Sequence, residues 1–123
     1  MNRDFDLVRK LLIFFRDKEG PEPVKVPPIE GYSETNIKYH CVLLYDAEML
    51  RCEPVTSNTS DRVIEVLPFE LTWDGHEFAD KILNETVWNR IREKIAASGG
   101  ALAFSVIRQL ATKYSLESVG FEA

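Results

Sequence analysis

Hydrophobic residues recur every three or four positions in five stretches of the chain, and this spacing predicts five amphipathic helices. The first helix is expected to begin after Asp4, its N-cap, and to run to about Glu19, with Gly20 as C-cap. The second is expected to begin after Ser33 and to run to about Leu50. The inward faces of these helices are expected to hold Phe5, Val8, Leu11, Leu12 and Phe15 in the first and Ile37, His40, Cys41, Leu44 and Ala47 in the second.

Two extended stretches follow the second helix. Residues Arg51 to Val55 and Val63 to Leu71 are predicted strands of a hairpin, and the six polar residues 56–61 between them form a mobile turn. Residues 21–32 hold four prolines and therefore predict an extended connector, with a short edge strand around Val24 to Val26.

Three further helices are predicted after the hairpin. Thr72 is placed to cap the first, Asn84 or Thr86 begins the next, and Gly99-Gly100 separates that helix from the last. Both tryptophans, Trp73 and Trp88, are expected to lie in the core rather than to serve as stacking platforms. The expected apolar positions are Phe78, Ile82 and Leu83 in the first helix, Trp88, Ile91 and Ile95 in the second, and Ala103, Val106, Ile107, Leu110 and Tyr114 in the third.

The order of these elements predicts a fold class. Helix, helix, β-hairpin wing and helix in succession are typical of a winged helix-turn-helix, so we expect an α+β, mostly helical fold. The 123 residues are expected to form a single winged-helix-like domain. Its core covers about residues 4–83, and the two appended C-terminal helices form an extension over about residues 84–123.

Net charge narrows the range of partners. The chain carries a formal charge of -5 with a pI of about 5.1, which argues against indiscriminate binding of nucleic acid or anionic membranes. Residues 61–80 hold Arg62 against six acidic residues, so the wing and the following helix are the acidic part. No apolar run is long enough for a membrane helix, the N-terminus does not resemble a signal peptide, and two cysteines fit a reducing compartment. We therefore expect a cytoplasmic protein.

Four motifs resemble a known family. The opening residues 4–12 (DFDLVRKLL) are similar to R-D-x-D-L-V-R-K-I-L, and residues 31–44 (GYSETNIKYHCVLL) match G-Y-S-E-x-x-I-x-Y-H-x-x-L-L. Residues 71–78 (LTWDGHEF) and 86–89 (TVWN) match two more motifs in the same order. The chain thus resembles the bacterial and phage domain of unknown function 2513 family, which implies no chemistry. One departure is Glu48, which follows Ala47 where the family pattern A-G-L-I has glycine.

The same order of elements is also similar to winged-helix regulators of the multiple-antibiotic-resistance and arsenical-repressor types. That resemblance implies binding of double-stranded DNA, with the second helix in the major groove and the wing on the backbone. The DNA-binding residues would be Thr35, Asn36 and Lys38 with Arg62 on the wing, and Val42 would share the same face. The first hypothesis is therefore a DNA-binding transcriptional regulator or accessory factor of prophage type. Two cations are few for phosphate contacts, and the surface also carries Glu34, Asp46, Asp61 and Glu65.

A second hypothesis uses the same helix for a protein partner. Val42, Tyr45 and Met49 recur at helical spacing on a face that a lone recognition helix would leave solvated. Their apolar character predicts a cover, formed either by the C-terminal helices or by a second chain in a homodimer. In this alternative the chain is a non-catalytic interaction module that does not bind nucleic acid.

Catalytic and metal chemistry are not indicated by the sequence. Residues 76–80 (HEFAD) superficially resemble the zinc-peptidase motif H-E-x-x-H, but Asp80 replaces the second histidine and no third ligand is placed. His40 and Cys41 are adjacent on a helix and point about 100° apart, which disfavours a shared metal. We expect no enzyme, no cofactor, no metal site and no membrane association.

Overall fold

The computed structural model describes residues 2–120 and contains five helices and one antiparallel hairpin. The predicted α+β, mostly helical class is confirmed. The elements are α1 (Phe5–Asp17), α2 (Glu34–Asp46), β1 (Leu50–Thr56), β2 (Val63–Leu71), α3 (Trp73–Leu83), α4 (Glu85–Ala97) and α5 (Phe104–Ser118). Contacts divide the chain into two compact units, Met1–His76 and Glu77–Ala123, with the boundary inside α3. In the described part of the chain, every helix is too short or too polar to cross a membrane.

The first unit is built on α1 and α2. The carboxylate of Asp4 accepts hydrogen bonds from the N–H groups of Asp6 and Leu7, and the hydroxyl of Ser33 accepts one from Asn36 N–H, so both predicted N-caps are confirmed. Helix α1 packs on α2 and on β2, and α2 packs on both strands. The buried side chains are Leu7, Val8, Leu11, Leu12, Phe15, Ile37, His40, Cys41, Leu44, Met49, Leu50, Val66 and Leu71.

Helix α2 ends earlier than predicted, at Asp46 rather than near Leu50. Glu48 adopts a positive φ of 61°, which turns the chain out of the helix and lets Leu50 begin β1. Ala47 consequently lies in the turn and is exposed instead of occupying the inner face. Helix α1 likewise ends at Asp17, with Lys18 rather than Gly20 as its C-cap.

The hairpin has the predicted strands with slightly different bounds. Leu50 pairs with Leu71, and the register shifts between Arg51 and Cys52 and again near the tip. The predicted edge strand at Val24 to Val26 is wrong, because this segment makes one bond, from Val24 N–H to the carbonyl of Pro68, in place of a ladder. Within the described chain, residues 18–33 therefore form an irregular connector.

The second unit contains the end of α3 with α4 and α5. Asn84 caps α4 through its side-chain oxygen, which accepts from Val87 N–H at 3.0 Å. The guanidinium of Arg90 lies 3.8 Å from the centroid of the Tyr114 ring and pairs with Glu117 at 2.6 Å, which ties α4 to α5. The buried side chains are Phe78, Ala79, Ile82, Val87, Trp88, Ile91, Ile107, Ala111 and Tyr114.

The two tryptophans behave differently. Trp88 is buried as expected, but Trp73 is 76 % exposed, so its predicted place in the core is wrong. The cause is helical geometry, since Trp73 lies nine residues before the fully buried Ile82 and projects from the opposite face of α3.

Candidate functional site

The most developed surface feature of the first unit is a groove between α2 and the hairpin. On α2 it is lined by Thr35, Lys38, Tyr39 and Val42, which share one helix face because they are spaced by three or four residues. The opposite wall is Arg62, which precedes β2, and Val63, Ile64 and Glu65 at the start of β2. The groove encloses about 490 Å³. We call this surface the α2–hairpin groove.

The hairpin tip is shaped by its own hydrogen bonds. Ser57 N–H donates to the carbonyl of Arg62 at 2.8 Å, and Arg62 N–H donates to the hydroxyl of Ser60 at 3.2 Å. These bonds hold the backbone at Arg62, while its residue surface stays exposed. Arg62 is therefore the cation that stands at the rim of the groove.

Lys38 is neutralised inside the groove by two carboxylates. Its ammonium lies 3.2 Å from Glu65 Oε1 on the hairpin and 3.3 Å from Glu34 Oε1 one helical turn earlier. The contact with the Glu65 carboxylate, and then that with Glu34, raises the pKa of Lys38 above its ordinary value. The lysine thus links α2 to the hairpin through its ion pair with Glu65.

Three of the four residues predicted to contact DNA converge on this groove. Thr35 and Lys38 line it from α2, and Arg62 lines it from the hairpin. Asn36 is not among the residues that line the groove, and both of its backbone polar groups are hydrogen-bonded within the chain. Its N–H donates to the hydroxyl of Ser33, and its carbonyl accepts from Nδ1 of His40 at 2.9 Å.

The predicted partner face is only partly at the surface. Val42 lines the groove and Tyr45 is half-buried, but Met49 is fully buried and presents no surface to a partner. Met49 follows the end of α2, so the helical spacing that grouped it with Val42 and Tyr45 does not extend to it.

The sequence-based reasoning missed Tyr39, Val63 and Ile64. Ile64 is the clearest omission, since 52 % of this side chain is exposed beside the groove. A signal was present, because Val63 and Ile64 are adjacent apolar residues and alternation along a strand must send one of them outward. Their closeness to Tyr39 follows from tertiary packing, which helical spacing alone does not encode.

The two thiols and His76 are not among the residues that line the α2–hairpin groove. Burial raises the pKa of both Cys41 and Cys52 to about 12, so neither is a thiolate near neutral pH. His76 is exposed in the first turn of α3. Among residues 2–120, no three His, Cys, Asp or Glu side chains converge as ligands for a metal ion.

Comparison with known proteins identifies a family and a relative. The sequence model of a family described as "Hypothetical protein (DUF2513)" matches residues 2–101. A protein of Haemophilus influenzae, named "Uncharacterized protein", is 31 % identical over 112 residues, which is 90 % of this chain and 92 % of the relative. No solved structure matches the chain significantly.

Proposed function

The chain belongs to the DUF2513 family, and we propose that it is a non-catalytic protein-interaction module on a winged-helix-like scaffold. The α2–hairpin groove receives an apolar segment of a partner protein, and nucleic acid is not its ligand. The observation that carries this proposal is the double pairing of Lys38 with Glu34 and Glu65.

The charges in and around this groove favour a protein ligand over DNA. A phosphate that approached Lys38 would meet the carboxylates of Glu34 and Glu65, which already lie within 3.3 Å of the ammonium. The surrounding unit is also unfavourable, since residues 1–76 carry nine Lys and Arg side chains against fourteen Asp and Glu side chains. Arg62 is the second cation that lines the groove, and the described geometry gives it no ion pair.

Apolar surface supports a protein ligand. Tyr39, Val42 and Val63 are half-buried and Ile64 is more than half-exposed, so the groove offers aromatic and branched aliphatic surface to a binding segment. Aromatic and Arg side chains at a partly desolvated centre are typical of the residues that dominate protein interfaces. Arg62 at the rim would favour a partner segment with a carboxylate beside its apolar residues.

The experiment is site-specific photocrosslinking in bacterial cells that express the full chain. Benzoylphenylalanine replaces Tyr39, and the crosslinked protein is identified by mass spectrometry. Ile64→Asp in the same chain should abolish the crosslink, because it places a charge on the apolar wall. Val119→Asp is the matched control at another exposed apolar position, 78 % exposed, and should leave the crosslink unchanged. Equal crosslinking in the Ile64→Asp variant would contradict the proposal.

DNA binding is the second candidate function, because one observation favours it. Thr35 and Lys38 on the helix and Arg62 on the hairpin line the same groove, as binding across a helix and a wing requires. A regulator would have to open the ion pairs of Lys38 when DNA binds.

Retention on mixed genomic DNA fragments at low and moderate salt tests this candidate. A regulator would retain a few fragments in a salt-sensitive way, and Lys38→Glu with Arg62→Glu would abolish retention. Lys94→Glu on α4 is the control for an equal change of charge elsewhere. If DNA is retained by the parent and by Lys94→Glu but not by the Lys38→Glu/Arg62→Glu variant, DNA binding replaces the protein-binding proposal. If the parent retains no DNA even at low salt, DNA binding is excluded.

A further inference from the structure

Trp73 is an exposed indole at the beginning of α3. It presents 76 % of its side chain to solvent, whereas a large aromatic ring gains most when it is buried. Tryptophan is also the residue type most enriched among those that dominate protein–protein binding energy. An exposed tryptophan on a regular helix therefore indicates a contact with another molecule.

The surroundings of Trp73 are acidic. The preceding residue, Thr72, bonds to the turn after α2, since its hydroxyl donates to the carbonyl of Glu48 at 2.7 Å and its N–H donates to the carbonyl of Met49. This places the turn beside the start of α3, and Asp46, Glu48 and Asp74 are all exposed there. The last turn of α2 contains no basic residue. We call Trp73 with these three carboxylates the Trp73 knob.

The second unit carries a surface of opposite charge. A groove of about 650 Å³ between the end of α3 and α5 is lined by Lys81, Arg108 and Lys113, together with Val106, Leu110 and Leu116. Every charged residue in its described lining is basic. Lys81 Nζ lies 3.1 Å from Thr112 Oγ1, which fixes one cation at the edge, and Val106 exposes 39 % of its side chain. We call this surface the α3–α5 groove.

We propose that the chain associates head to tail with itself, the Trp73 knob of one copy entering the α3–α5 groove of the next. Three carboxylates meet three cations, and the indole finds the apolar side chains of the groove. Because the knob and the groove are different surfaces, each added copy leaves one knob and one groove unfilled. Such a heterologous contact builds chains that lengthen with protein concentration, or closes into a ring.

The occupant is a second copy for a structural reason. The acidic Trp73 knob and the basic, partly apolar lining of the α3–α5 groove are complementary, and both are surfaces of this same chain. The contact uses no residue of the α2–hairpin groove. Its success or failure is therefore independent of the proposed function.

Sedimentation velocity of the full chain, from about 1 μM to about 1 mM, tests the contact over the range of weak to moderate dissociation constants. The parent protein should increase in weight-average mass with concentration and lose that increase at high salt. Trp73→Ala and the double variant Arg108→Glu/Lys113→Glu should each remain at monomer mass. Val119→Ser, which removes a different exposed apolar side chain, should associate like the parent.

A mixing experiment is the sharpest test of a heterologous contact. Trp73→Ala keeps an intact groove and Arg108→Glu/Lys113→Glu keeps an intact knob, so an equimolar mixture should form one-to-one dimers and go no further. Circular dichroism and thermal melting of each variant confirm that it is folded. The proposal is overturned if the parent stays monomeric at every concentration, if Trp73→Ala associates like the parent, or if the mixture of folded variants stays monomeric.

Discussion

The backbone N–H of Asp4 donates to Nε2 of His40 at 2.8 Å, which links the N-cap of α1 to the middle of α2 across 36 positions of sequence. On the other side of the ring, Nδ1 lies 2.9 Å from the carbonyl of Asn36. Both bonds are satisfied when the imidazole is neutral and carries its hydrogen on Nδ1. The fully buried His40 is thus a structural crosslink, in agreement with the expectation that it is a hydrogen-bonded core residue.

Replacing His40 with Phe should destabilise the first unit. The ring volume is retained, but the N–H of Asp4 loses its acceptor at the point where α1 begins. An unsatisfied, partly buried donor costs about 1–3 kcal/mol of unfolding free energy. Urea titration followed by circular dichroism measures the change. Asn36→Ala is the control, since the bond to His40 uses the backbone carbonyl, and its effect should stay within about 0.5 kcal/mol.

Replacing Glu48 with Gly should stabilise the chain. Glu48 holds a φ of 61°, a conformation that costs about 1–2 kcal/mol for a residue with a side chain and almost nothing for glycine. Part of this gain is lost to the greater freedom of glycine in the unfolded chain, which leaves about 0.5–1 kcal/mol. Thermal unfolding checks the result. Glu48→Ala keeps the Cβ and should show no comparable gain, so an equal gain in both variants would point to charge rather than backbone conformation.

Replacing Gly75 with Ala should be strongly destabilising. A Cβ at this position would overlap the carbonyl oxygen of Met49, which is backbone and cannot swing away. The same carbonyl accepts from Thr72 N–H at 3.0 Å, so moving it disturbs the junction between the α2–β1 turn and α3. We expect a loss of about 1–3 kcal/mol or more in a urea titration. Gly31→Ala is an instructive comparison, because its cost should arise from the positive φ of 85° alone, with open space around the added methyl group.

The two thiols should make the protein sensitive to alkali. Burial raises the pKa of Cys41 from 9.0 to about 12, and burial and then the nearby Cys41 raise that of Cys52 to about 12. Below pH 9 this contribution to stability is fully present. Between pH 9 and 12 the folded chain binds more protons than the unfolded chain, so the unfolding free energy falls as pH rises.

Urea titrations at several alkaline pH values measure that slope. Cys41 alone should contribute about 1.4 kcal/mol per pH unit where its unfolded thiol is ionised and its folded thiol is not. Cys41→Ala should reduce the slope of the pH dependence and leave the remainder to Cys52. Native thiols should also react with iodoacetamide far more slowly at pH 8 than thiols in urea. An unchanged slope in Cys41→Ala would show that this thiol does not couple to folding.

The sequence was sufficient to predict where a helix begins when a polar side chain caps its first turn. Asp4, Ser33 and Thr72 each precede a helical stripe and each accept the expected backbone bond. For α4 both Asn84 and Thr86 were possible starts, and the structure has Asn84 as the cap. The end of α2 was not predictable in the same way, since the residue at the left-handed position is Glu48 rather than the glycine that usually marks it.

The candidate surfaces were harder to predict than the elements. Lys38 and Arg62 were identified as cations of one face, but their proximity to Glu65 depends on how the hairpin folds back on α2. Trp73 was expected in the core, while its position on α3 relative to Ile82 determines that it faces outward. Pattern analysis thus indicates which face a residue occupies, and packing decides what that face meets.

The hairpin contains features that oppose aggregation through the edges of its two strands. A sheet of two strands has an outer edge on each side, and unpaired edges can recruit strands from other chains. On β1, Pro54 lacks a donor, and two register shifts interrupt a flat ladder. On β2, Pro68 also lacks a backbone N–H donor, and its carbonyl already accepts a hydrogen bond from Val24 N–H. The irregular pairing of β1 and β2 therefore hinders the addition of strands from other chains. Replacing Pro54 and Pro68 should make the protein more prone to form fibrils when it is heated.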